Sequence, residues 1–440
     1  MSGPERLTER LLRFATPKSQ RLIDAACRGI VADAYRNVPL FRRRLDAVGV
    51  SPTAIRVAGD LSLIPPSERR DILGARRADS LRRGVNPSAC RTCGTSGTTG
   101  APLTIYMSRS EALYRKVLLF RAIARSARLS LPFTIAEVGT GIIRLGSYRG
   151  DLAQGLRLVR VTKILRTLPV EEQVRCLIRA APQVVQGHPS CLGLVAGALQ
   201  ASESVGRITP RLVVARGEIL RPHVRSLLQT AFRCPVVDHF NCEEVGNVAW
   251  ECLHQPGVMH INTAGCVVET VDMRNRAVGF GNEGNVVITN LFNRTMPFIR
   301  YKLGDRAALL PPSRCACGHN GASMSLVAGR AGDLLKLPSG GHVSPRTVDS
   351  VIANAAQCEG DRRLYDLQRY QVRQDAAGHV NVLVVPHDAC TSDLDERIAR
   401  ALHELDPRMR VSVTYVPEIP AEASGKLRIV RSDACDSSPE

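Results

Sequence analysis

The chain has 440 residues, of which 44% are hydrophobic, so it can form one large or two unequal domains with a substantial core. Its formal net charge of +18 would suit a polyanionic partner. However, the basic residues are spread along the chain without long runs, and aromatic residues make up only 4%. We therefore attribute the charge to Arg on solvated faces and expect no nucleic-acid partner.

The amino-terminal residues lead into an amphipathic helix and carry no secretory signal. The most apolar stretch, near 191–201, is far shorter than the roughly 20 residues that span a bilayer. We expect a cytoplasmic protein without a membrane partner, in which the 14 cysteines do not form a disulfide framework. A monomer and a homodimer are both compatible with the sequence.

Helical spacing of apolar residues predicts helices over 5–46, and the prolines of 65–70 predict the start of another helix. A helix is also predicted over 108–128, with Ser110 as its N-cap. Short β-rich runs then alternate with helical segments, at 184–186, 212–215, 236–238 and 267–271. This alternation predicts an α/β fold with a large sheet and flanking helices.

The pattern changes near Gly329. Ser344 begins a predicted helix, and strands at 370–372 and 380–385, a helix over 392–405 and a strand at 411–416 follow. A β/α unit of about 110 residues can fold independently. We therefore predict a large amino-terminal domain over 1–330 and a small, mobile α+β carboxy-terminal domain over 333–440.

A Gly/Ser/Thr-rich segment carries the strongest chemical signal, and it consists of Thr95, Ser96, Gly97, Thr98, Thr99 and Gly100. Small residues let successive backbone N–H groups converge on an anion, and the hydroxyls add donors. The segment is not a Walker loop, because no Lys-Ser/Thr pair follows and 103–106 is predicted as a strand. A phosphate cradle and an ordinary flexible turn are both compatible with this composition.

Two further motifs contain one charged residue of interest each. Asp305 follows Gly304 at the end of a predicted strand, where a carboxylate can bind vicinal hydroxyls such as those of a ribose, or simply form a β-turn. Lys426 lies beside Gly425 near the carboxyl terminus. It can either neutralise developing charge in an active site or be a solvated tail residue.

Together and in this order, the three motifs resemble the phenylacetate–CoA ligase family of the adenylate-forming superfamily. The resemblance covers nearly the whole chain, through segments at 35–41, 64–66, 217–218, 240–246, 284–289, 296–301 and 329–330, and it ends at Lys426. It implies an AMP-forming acid–thiol ligase. Such an enzyme activates a carboxylic acid with ATP as an acyl-adenylate and then transfers the acyl group to a thiol, here coenzyme A.

The resemblance also implies residue roles. The 95–100 loop would hold the ATP phosphates, Glu244 would bind Mg²⁺ and act in catalysis, and Lys426 would stabilise charge at the α-phosphate and acyl carboxylate. Asp305 would hold the ribose, with Arg330 nearby. The remaining nucleotide residues would be Gly217, Glu218, Phe240 and Asn241, and the acid pocket would include Val138, Gly139, Gly187, His188 and Pro189.

Several positions depart from the family pattern: Ala101, Asn241, Glu243, Leu303 and Gly332. Glu243 matters most, because a second carboxylate near phosphates is repulsive unless a cation compensates it. These departures make phenylacetate a poor candidate substrate. They leave two alternatives open: a biosynthetic ligase that transfers the acyl group to an amine or a carrier-protein thiol, and a non-catalytic nucleotide-binding relative.

Four residues outside these motifs suggest a metal site. Cys315 and Cys317 are two residues apart, which places both thiols on one face of an extended chain, and Cys252 and His260 add a sulfur and a nitrogen. Three thiolates and an imidazole suit a structural, tetrahedral Zn²⁺. The resemblance supports this prediction, although buried cysteines also occur simply as small hydrophobic residues.

The remaining cysteines do not form a recognisable catalytic site. Cys90, Cys93 and Cys242 lie beside the predicted ATP site, but nothing in the sequence supplies a partner that would orient a Cys/His pair. We therefore expect none of the three to act as a nucleophile.

Overall fold

The computed structural model describes residues 20–94, 103–140, 158–202, 204–330, 334–356, 367–386, 393–420 and 429–434. The predicted phosphate loop at 95–100 and Lys426 lie outside these ranges, as do Ala101 and Gly332. The backbone of Arg330 is described but its side chain is not.

Helices form the amino-terminal part of the described chain. The helices predicted over 5–46 are confirmed from residue 20 onward, and 5–19 lie outside the described residues. The α-helices of this part are α1 (Gln20–Asn37), α2 (Pro39–Asp46), α3 (Arg69–Leu73) and α4 (Arg77–Ser80). Pro39 stands in the first turn of α2, where a missing N–H costs no helical hydrogen bond. Apolar residues of α1 and α2 pack with Leu61, Ile64 and Ile299 in a common core.

Helix α5 (Arg109–Ser126) confirms the predicted helix, but its N-cap is Ser108 and not Ser110. The Ser108 hydroxyl accepts a hydrogen bond from the Glu111 backbone N–H at 3.2 Å, and the Glu111 carboxylate accepts one from the Ser108 N–H at 2.7 Å. Both candidates are serines, and only Ser108 has an acid three residues later to complete a capping box.

A large mixed sheet forms the centre of the molecule. Its parallel half has the order β4-β3-β5-β6-β7, and its antiparallel half continues as β8-β9-β13-β12-β11-β10. The parallel strands are β3 (Phe133–Thr140), β4 (Val159–Leu165), β5 (Val184–Gly187), β6 (Leu212–Arg216) and β7 (Val236–Cys242). The antiparallel strands are β8 (Gly246–Glu251), β9 (Val258–Ile261), β10 (Cys266–Val271), β11 (Glu283–Asn290), β12 (Tyr301–Leu309) and β13 (Ser323–Arg330).

Helices cover both faces of the parallel half. Helices α6 (Val170–Ala180), α7 (Pro189–Ala201) and α8 (Pro222–Phe232) pack on the face that carries Val185 and Val213, and α5 packs on the face that carries Val184 and Val214. This burial on both faces explains the continuous apolar runs of the sequence. Ligand sites in such sheets lie at the carboxyl ends of the parallel strands.

A separate antiparallel hairpin frames the predicted phosphate loop. Strands β1 (Arg91–Gly94) and β2 (Thr104–Met107) pair along their length, so 95–103 connects two neighbouring strands. The prediction that a strand and not a helix follows the loop is confirmed.

The last part of the described chain has its own sheet and core. Strands β16 (Leu367–Gln374), β17 (Val380–Pro386), β18 (Val411–Tyr415) and β19 (Val430–Ser432) form a sheet of order β18-β17-β16-β19. The other elements are β14 (Leu335–Lys336), β15 (His342–Val343), α9 (Pro345–Ala355) and α10 (Leu394–Leu405). The helices and strands predicted here are confirmed, while the mobility of this unit stays a prediction.

The predicted α/β class is therefore confirmed. Within the described residues, no helix is both long and apolar enough to cross a bilayer, and no cysteine forms a disulfide.

Candidate nucleotide and acid site

Glu244 lies on the turn between β7 and β8, and only 7% of it is exposed. Burial raises the pKa of its carboxyl above the ordinary value, and the nearby carboxylates of Glu243 and Asp305 raise it further. Tyr301 is hydrogen-bonded to this carboxylate, and the Asn290 side chain donates a 2.8 Å hydrogen bond to the Glu244 backbone carbonyl. The structure thus brings three carboxylates together around a fixed turn, an arrangement that a bound cation would stabilise.

Glu243 has a cationic partner that the sequence did not reveal. Arg115 of α5 forms a 2.8 Å ion pair with the Glu243 carboxylate and donates to the Cys93 sulfur at 3.0 Å. The backbone at Gly246, where φ is +95°, packs directly against Arg115. A Cβ atom at this position would lie only 2.7 Å from the Arg115 Nε atom. The repulsion expected of Glu243 is thereby compensated within the protein.

Asp305 lies on β12, and its backbone is paired in register with that of Arg330 on β13. Its carboxylate is close enough to that of Glu244 to raise the pKa of the latter. Gly304, with a φ of +82°, precedes it. Asp305 and Glu244, predicted as nucleotide residues from distant motifs, therefore lie close to each other.

The other predicted nucleotide residues lie at or just after the carboxyl ends of the parallel strands. Phe240, predicted at the adenine, and Asn241 lie near the end of β7 and are half-buried, and Asn241 accepts a hydrogen bond from Asn247 at 2.9 Å. Glu218 follows β6 and Gly217, and its carboxylate accepts hydrogen bonds from the Ser190 N–H and hydroxyl, both at 3.0 Å. This contact joins the end of β6 to the start of α7.

The residues predicted for the acid pocket lie at the carboxyl ends of β3 and β5. His188 caps α7, with its Nδ1 3.7 Å from the Glu218 carboxylate. Gly139 has a φ of +79°, and a Cβ there would lie 2.6 Å from the Cys191 sulfur. Gly187 is similarly confined, and Pro189 begins α7, whereas Val138 is buried in the core beneath α7 and α8. The glycines thus let two strand ends and α7 approach closely.

Cys252, His260, Cys315 and Cys317 form one cluster, with ligand atoms all within 4.8 Å of one another. The sulfurs of Cys252 and Cys315 are 3.5 Å apart, and the Cys317 sulfur is 3.2 Å from Nε2 of His260. The expectation of an extended chain at Cys315 and Cys317 is wrong, because the Gly318 N–H donates to the Cys315 carbonyl in a tight turn. The turn still directs both sulfurs toward the same point.

The surroundings of this cluster suit metal ligands. Burial lowers the pKa of His260 to about 4, so its ring is neutral, and its Nδ1 is hydrogen-bonded to the Ser323 hydroxyl at 3.1 Å. His319 stacks on His260 with ring centroids 4.1 Å apart but is not among the four clustered ligands, and His254 contacts Arg128 instead.

The thiols near the nucleotide site are not activated. Burial raises the pKa of Cys93 to about 12 and that of Cys242 well above its ordinary value. A buried neutral thiol is a poor nucleophile.

No family model matches the chain. The chain is 25% identical to a phenylacetate-coenzyme A ligase of Thermus thermophilus, over 94% of this chain and 96% of that protein. The resemblance to the phenylacetate–CoA ligases is therefore confirmed. With it, the assignment of the chain to the AMP-forming ligases is confirmed.

The fold agrees with this relationship. A 2-hydroxyisobutyryl-CoA ligase in the postadenylation state, in complex with R3-HIB-AMP, superposes with a TM-score of 0.77 at 18% identity, covering 95% of this chain and 91% of that one. The same ligase in the thioesterification state, in complex with 2-HIB-AMP and CoA, gives 0.64 at 18% identity, covering 96% and 91%. The chain therefore shares its overall fold with this solved CoA ligase.

Proposed function

We propose that this chain activates a small carboxylic acid with ATP and transfers the acyl group to coenzyme A. In the first step a carboxylate oxygen attacks the ATP α-phosphate, and pyrophosphate leaves. In the second step the coenzyme A thiolate, having lost its proton, attacks the acyl carbonyl, and AMP leaves. The observation that carries the proposal is the buried Glu244 carboxylate with Asp305 close by. The turn that holds Glu244 contacts the hairpin of the predicted phosphate loop, because the Cys93 thiol donates to the Glu243 carbonyl.

Each nucleotide residue has a proposed role. The 95–100 loop would bind the phosphates, Asp305 the ribose hydroxyls with Arg330 beside it, and Phe240 the adenine. Glu244 would bind a Mg²⁺ ion. This fits the ion, since a buried carboxylate with a raised pKa and acidic neighbours is stabilised by a divalent cation. When bound, Mg²⁺ neutralises phosphate charge, while Glu244 and Arg115 keep the turn in place.

Lys426 would complete the site from the carboxy-terminal unit. Its ammonium would neutralise charge as the carboxylate approaches the α-phosphate. Because more than one hundred residues separate it from Asp305, this role requires the small unit to close over the large one. The TM-score is higher for the postadenylation structure than for the thioesterification structure. This difference supports assigning the arrangement of the large and small units in this chain to the first half-reaction.

We also propose a structural Zn²⁺ held by Cys252, His260, Cys315 and Cys317. The donor set and spacing fit a tetrahedral ion, and the neutral His260 ring is already oriented by Ser323. Burial raises the pKa of the Cys252 thiol to about 12, so a cation is needed to hold it as a thiolate. Four protein ligands leave no open position, so this ion would support folding and take no part in the reaction.

The test is ATP–pyrophosphate exchange, screened over carboxylic acids without an acceptor. At least one acid should drive Mg²⁺-dependent exchange, and Glu244→Gln and Lys426→Ala should each reduce it by roughly 100-fold or more. Exchange at the wild-type rate in Glu244→Gln would remove this residue from the metal role. If no acid supports exchange, the chain is a nucleotide-binding relative without this activity.

Transfer to an amine or a carrier-protein thiol is the alternative second step. Adding coenzyme A, a carrier protein or amines to the preformed acyl-adenylate distinguishes these acceptors. Glu243 and Ala101 are the departures that favour the non-catalytic alternative. The Arg115–Glu243 ion pair weakens it, because the added carboxylate is compensated and need not repel the phosphates.

A further inference from the structure

Four polar residues line one face of the parallel sheet at its carboxyl edge: Glu137, Gln186, Arg216 and His239. They lie on the neighbouring strands β3, β5, β6 and β7, where Glu137 is paired in register with Gln186 and Arg216 with His239. Each stands two residues after an apolar member of the core beneath α5, namely Ile135, Val184, Val214 and Val237. Because side chains alternate along a strand, all four polar side chains share the α5 face.

Two of these residues are buried, and the set is incompletely hydrogen-bonded. Gln186 is 3% exposed and His239 is 1% exposed. Among the described residues, Oε1 of Gln186, Nε2 of His239 and Nε of Arg216 have no hydrogen-bond partner. Buried polar atoms are rarely left unpaired in native proteins, so such a group indicates a ligand or water that completes the set.

Each of the three unpaired atoms can be assigned as a hydrogen-bond donor or acceptor. The side-chain nitrogen of Asn247 donates to the Asn241 side-chain oxygen at 2.9 Å and to the Ala249 carbonyl at 3.2 Å, and it lies 3.3 Å from Nδ1 of His239. An amide nitrogen cannot accept a hydrogen bond, so the Nδ1 atom that faces it is unprotonated, and Nε2 carries the proton of the neutral ring. Burial lowers the pKa of His239 to about 3, which keeps the ring neutral. The site thus offers donors at His239 and Arg216 and an acceptor at Gln186.

The fourth residue makes the site electrically balanced. Glu137 forms an ion pair with Arg216, and both side chains are less than one-third exposed. The pair compensates its own charge and so does not call for a charged ligand. A hydroxyl or carboxamide both donates and accepts, whereas an ammonium offers only donors and a carboxylate only acceptors.

We propose that the acid activated by this chain carries a hydroxyl or carboxamide group on its carbon skeleton, recognised by Gln186, Arg216 and His239. This inference rests on the proposed function, which places the acid beside Gly139, Gly187 and His188. Gly187 is the residue directly after Gln186, and Gly139 lies two residues after Glu137. An aliphatic or aryl hydrocarbon acid would leave the three buried atoms unpaired, and a site that binds a hydroxyl discriminates strongly against the analogue that lacks it.

The test compares acids that differ by one hydroxyl. The measured quantity is kcat/KM for pyrophosphate exchange. The pairs are propionate and lactate, butyrate and 3-hydroxybutyrate, benzoate and 3- or 4-hydroxybenzoate, and phenylacetate and 4-hydroxyphenylacetate. Succinate and succinamate form a carboxamide pair. For at least one pair, the hydroxyl- or carboxamide-bearing acid should be preferred by about 100-fold or more. Gln186→Met and His239→Leu should each reduce that preference at least tenfold, and either variant suffices if the other fails to fold.

Gln173→Met is the matched control. Gln173 is a buried glutamine of α6 that donates to the Leu168 carbonyl at 2.9 Å, away from this face, so its variant should keep the wild-type preference. A wild-type preference for the hydrocarbon acids, or a preference that Gln186→Met and His239→Leu leave unchanged, overturns the inference.

Binding is measured separately by thermal shift with the same acids. If exchange is absent but hydroxylated acids stabilise the wild type and not Gln186→Met, the inference stands and the proposed reaction fails. If exchange is absent and no acid of any pair shifts the melting temperature, both fail.

Discussion

Arg115 changes the electrostatic effect that Glu243 has on its surroundings. Glu243 alone would be an unfavourable carboxylate beside the proposed phosphate site. In the structure it forms an ion pair with Arg115. Arg115 also donates to the sulfur of Cys93, just before the predicted phosphate loop, and to the Cys242 carbonyl at 3.4 Å. Arg115 therefore acts as a positioning residue that links α5, β1 and the turn carrying Glu244.

We expect Arg115→Ala to lower pyrophosphate exchange by roughly 10- to 100-fold, because it removes the positive charge that compensates Glu243 beside the proposed phosphate site and loosens the turn. Adding Glu243→Thr to the Arg115→Ala variant should restore much of the lost exchange activity, because the repulsive carboxylate is then removed. Exchange rates of the two single variants and the double variant form the measurement.

Arg109→Ala is the control for this cycle, because Arg109 is exposed on the first turn of the same helix and should change exchange little. If the double variant is as slow as Arg115→Ala, Arg115 acts through packing and not through the charge of Glu243.

At the scale of elements, local patterns predicted most of the fold. The runs at 184–186, 212–215 and 236–238 are strands β5, β6 and β7, and Ser344 caps α9 as predicted. These elements are specified by neighbouring residues through periodicity and capping. The errors were also local, as at Ser108, where two serines compete for one cap.

What the sequence could not predict is contact between distant elements. Arg115 and Glu243 are 128 positions apart, and no spacing rule connects them. The same holds for the polar face formed by Gln186 and His239, which depends on the strand order of the sheet. The cysteine cluster was predictable because thiols and histidines are rare and chemically distinctive, although its local backbone was not.

The cysteine cluster joins two separate parts of the antiparallel half-sheet. Cys252 and His260 belong to the β8–β9 segment, and Cys315 and Cys317 lie on the connection between β12 and β13. We expect one zinc per purified chain. A Cys315→Ser, Cys317→Ser double variant should lose the metal and unfold at a lower temperature, measured by elemental analysis and calorimetry.

Cys266→Ala separates loss of metal from general destabilisation. Cys266 is a fully buried core thiol in β10, so its replacement should lower stability while zinc content stays at one. Absence of zinc from wild-type protein purified without chelators would contradict the metal assignment, as would full zinc content in the double variant.

At the scale of the whole molecule, a buried cluster connects the two main cores. Arg221, just before α8, lies 3.2 Å from the Asp349 carboxylate of α9, and its guanidinium is 4.7 Å from the centre of the Tyr370 ring of β16. The Tyr370 hydroxyl also donates to Asp349. All three residues are less than one-tenth exposed, so this interface cluster holds the carboxy-terminal unit against the large sheet.

The interface cluster should favour the arrangement in which it forms. Removing one partner of a buried ion pair costs about 3–5 kcal/mol, because the other charge stays buried. Asp349 keeps its bond to Tyr370 within the small unit, so most of the loss in Arg221→Met should fall on the contact between the units and not on either core. The variant should therefore populate other arrangements of the small unit more often.

We expect Arg221→Met to affect the two half-reactions differently. Pyrophosphate exchange should fall at least about tenfold, because the proposed role of Lys426 requires the closed small unit. Conversion of supplied acyl-adenylate with coenzyme A should change much less, because that step must reopen the site to a second nucleophile. Arg276→Met provides the control, since Arg276 pairs with Asp272 on an exposed hairpin and should alter neither rate by more than about twofold. Equal loss of both half-reactions in Arg221→Met would mean that the interface cluster only stabilises the fold and does not select an arrangement.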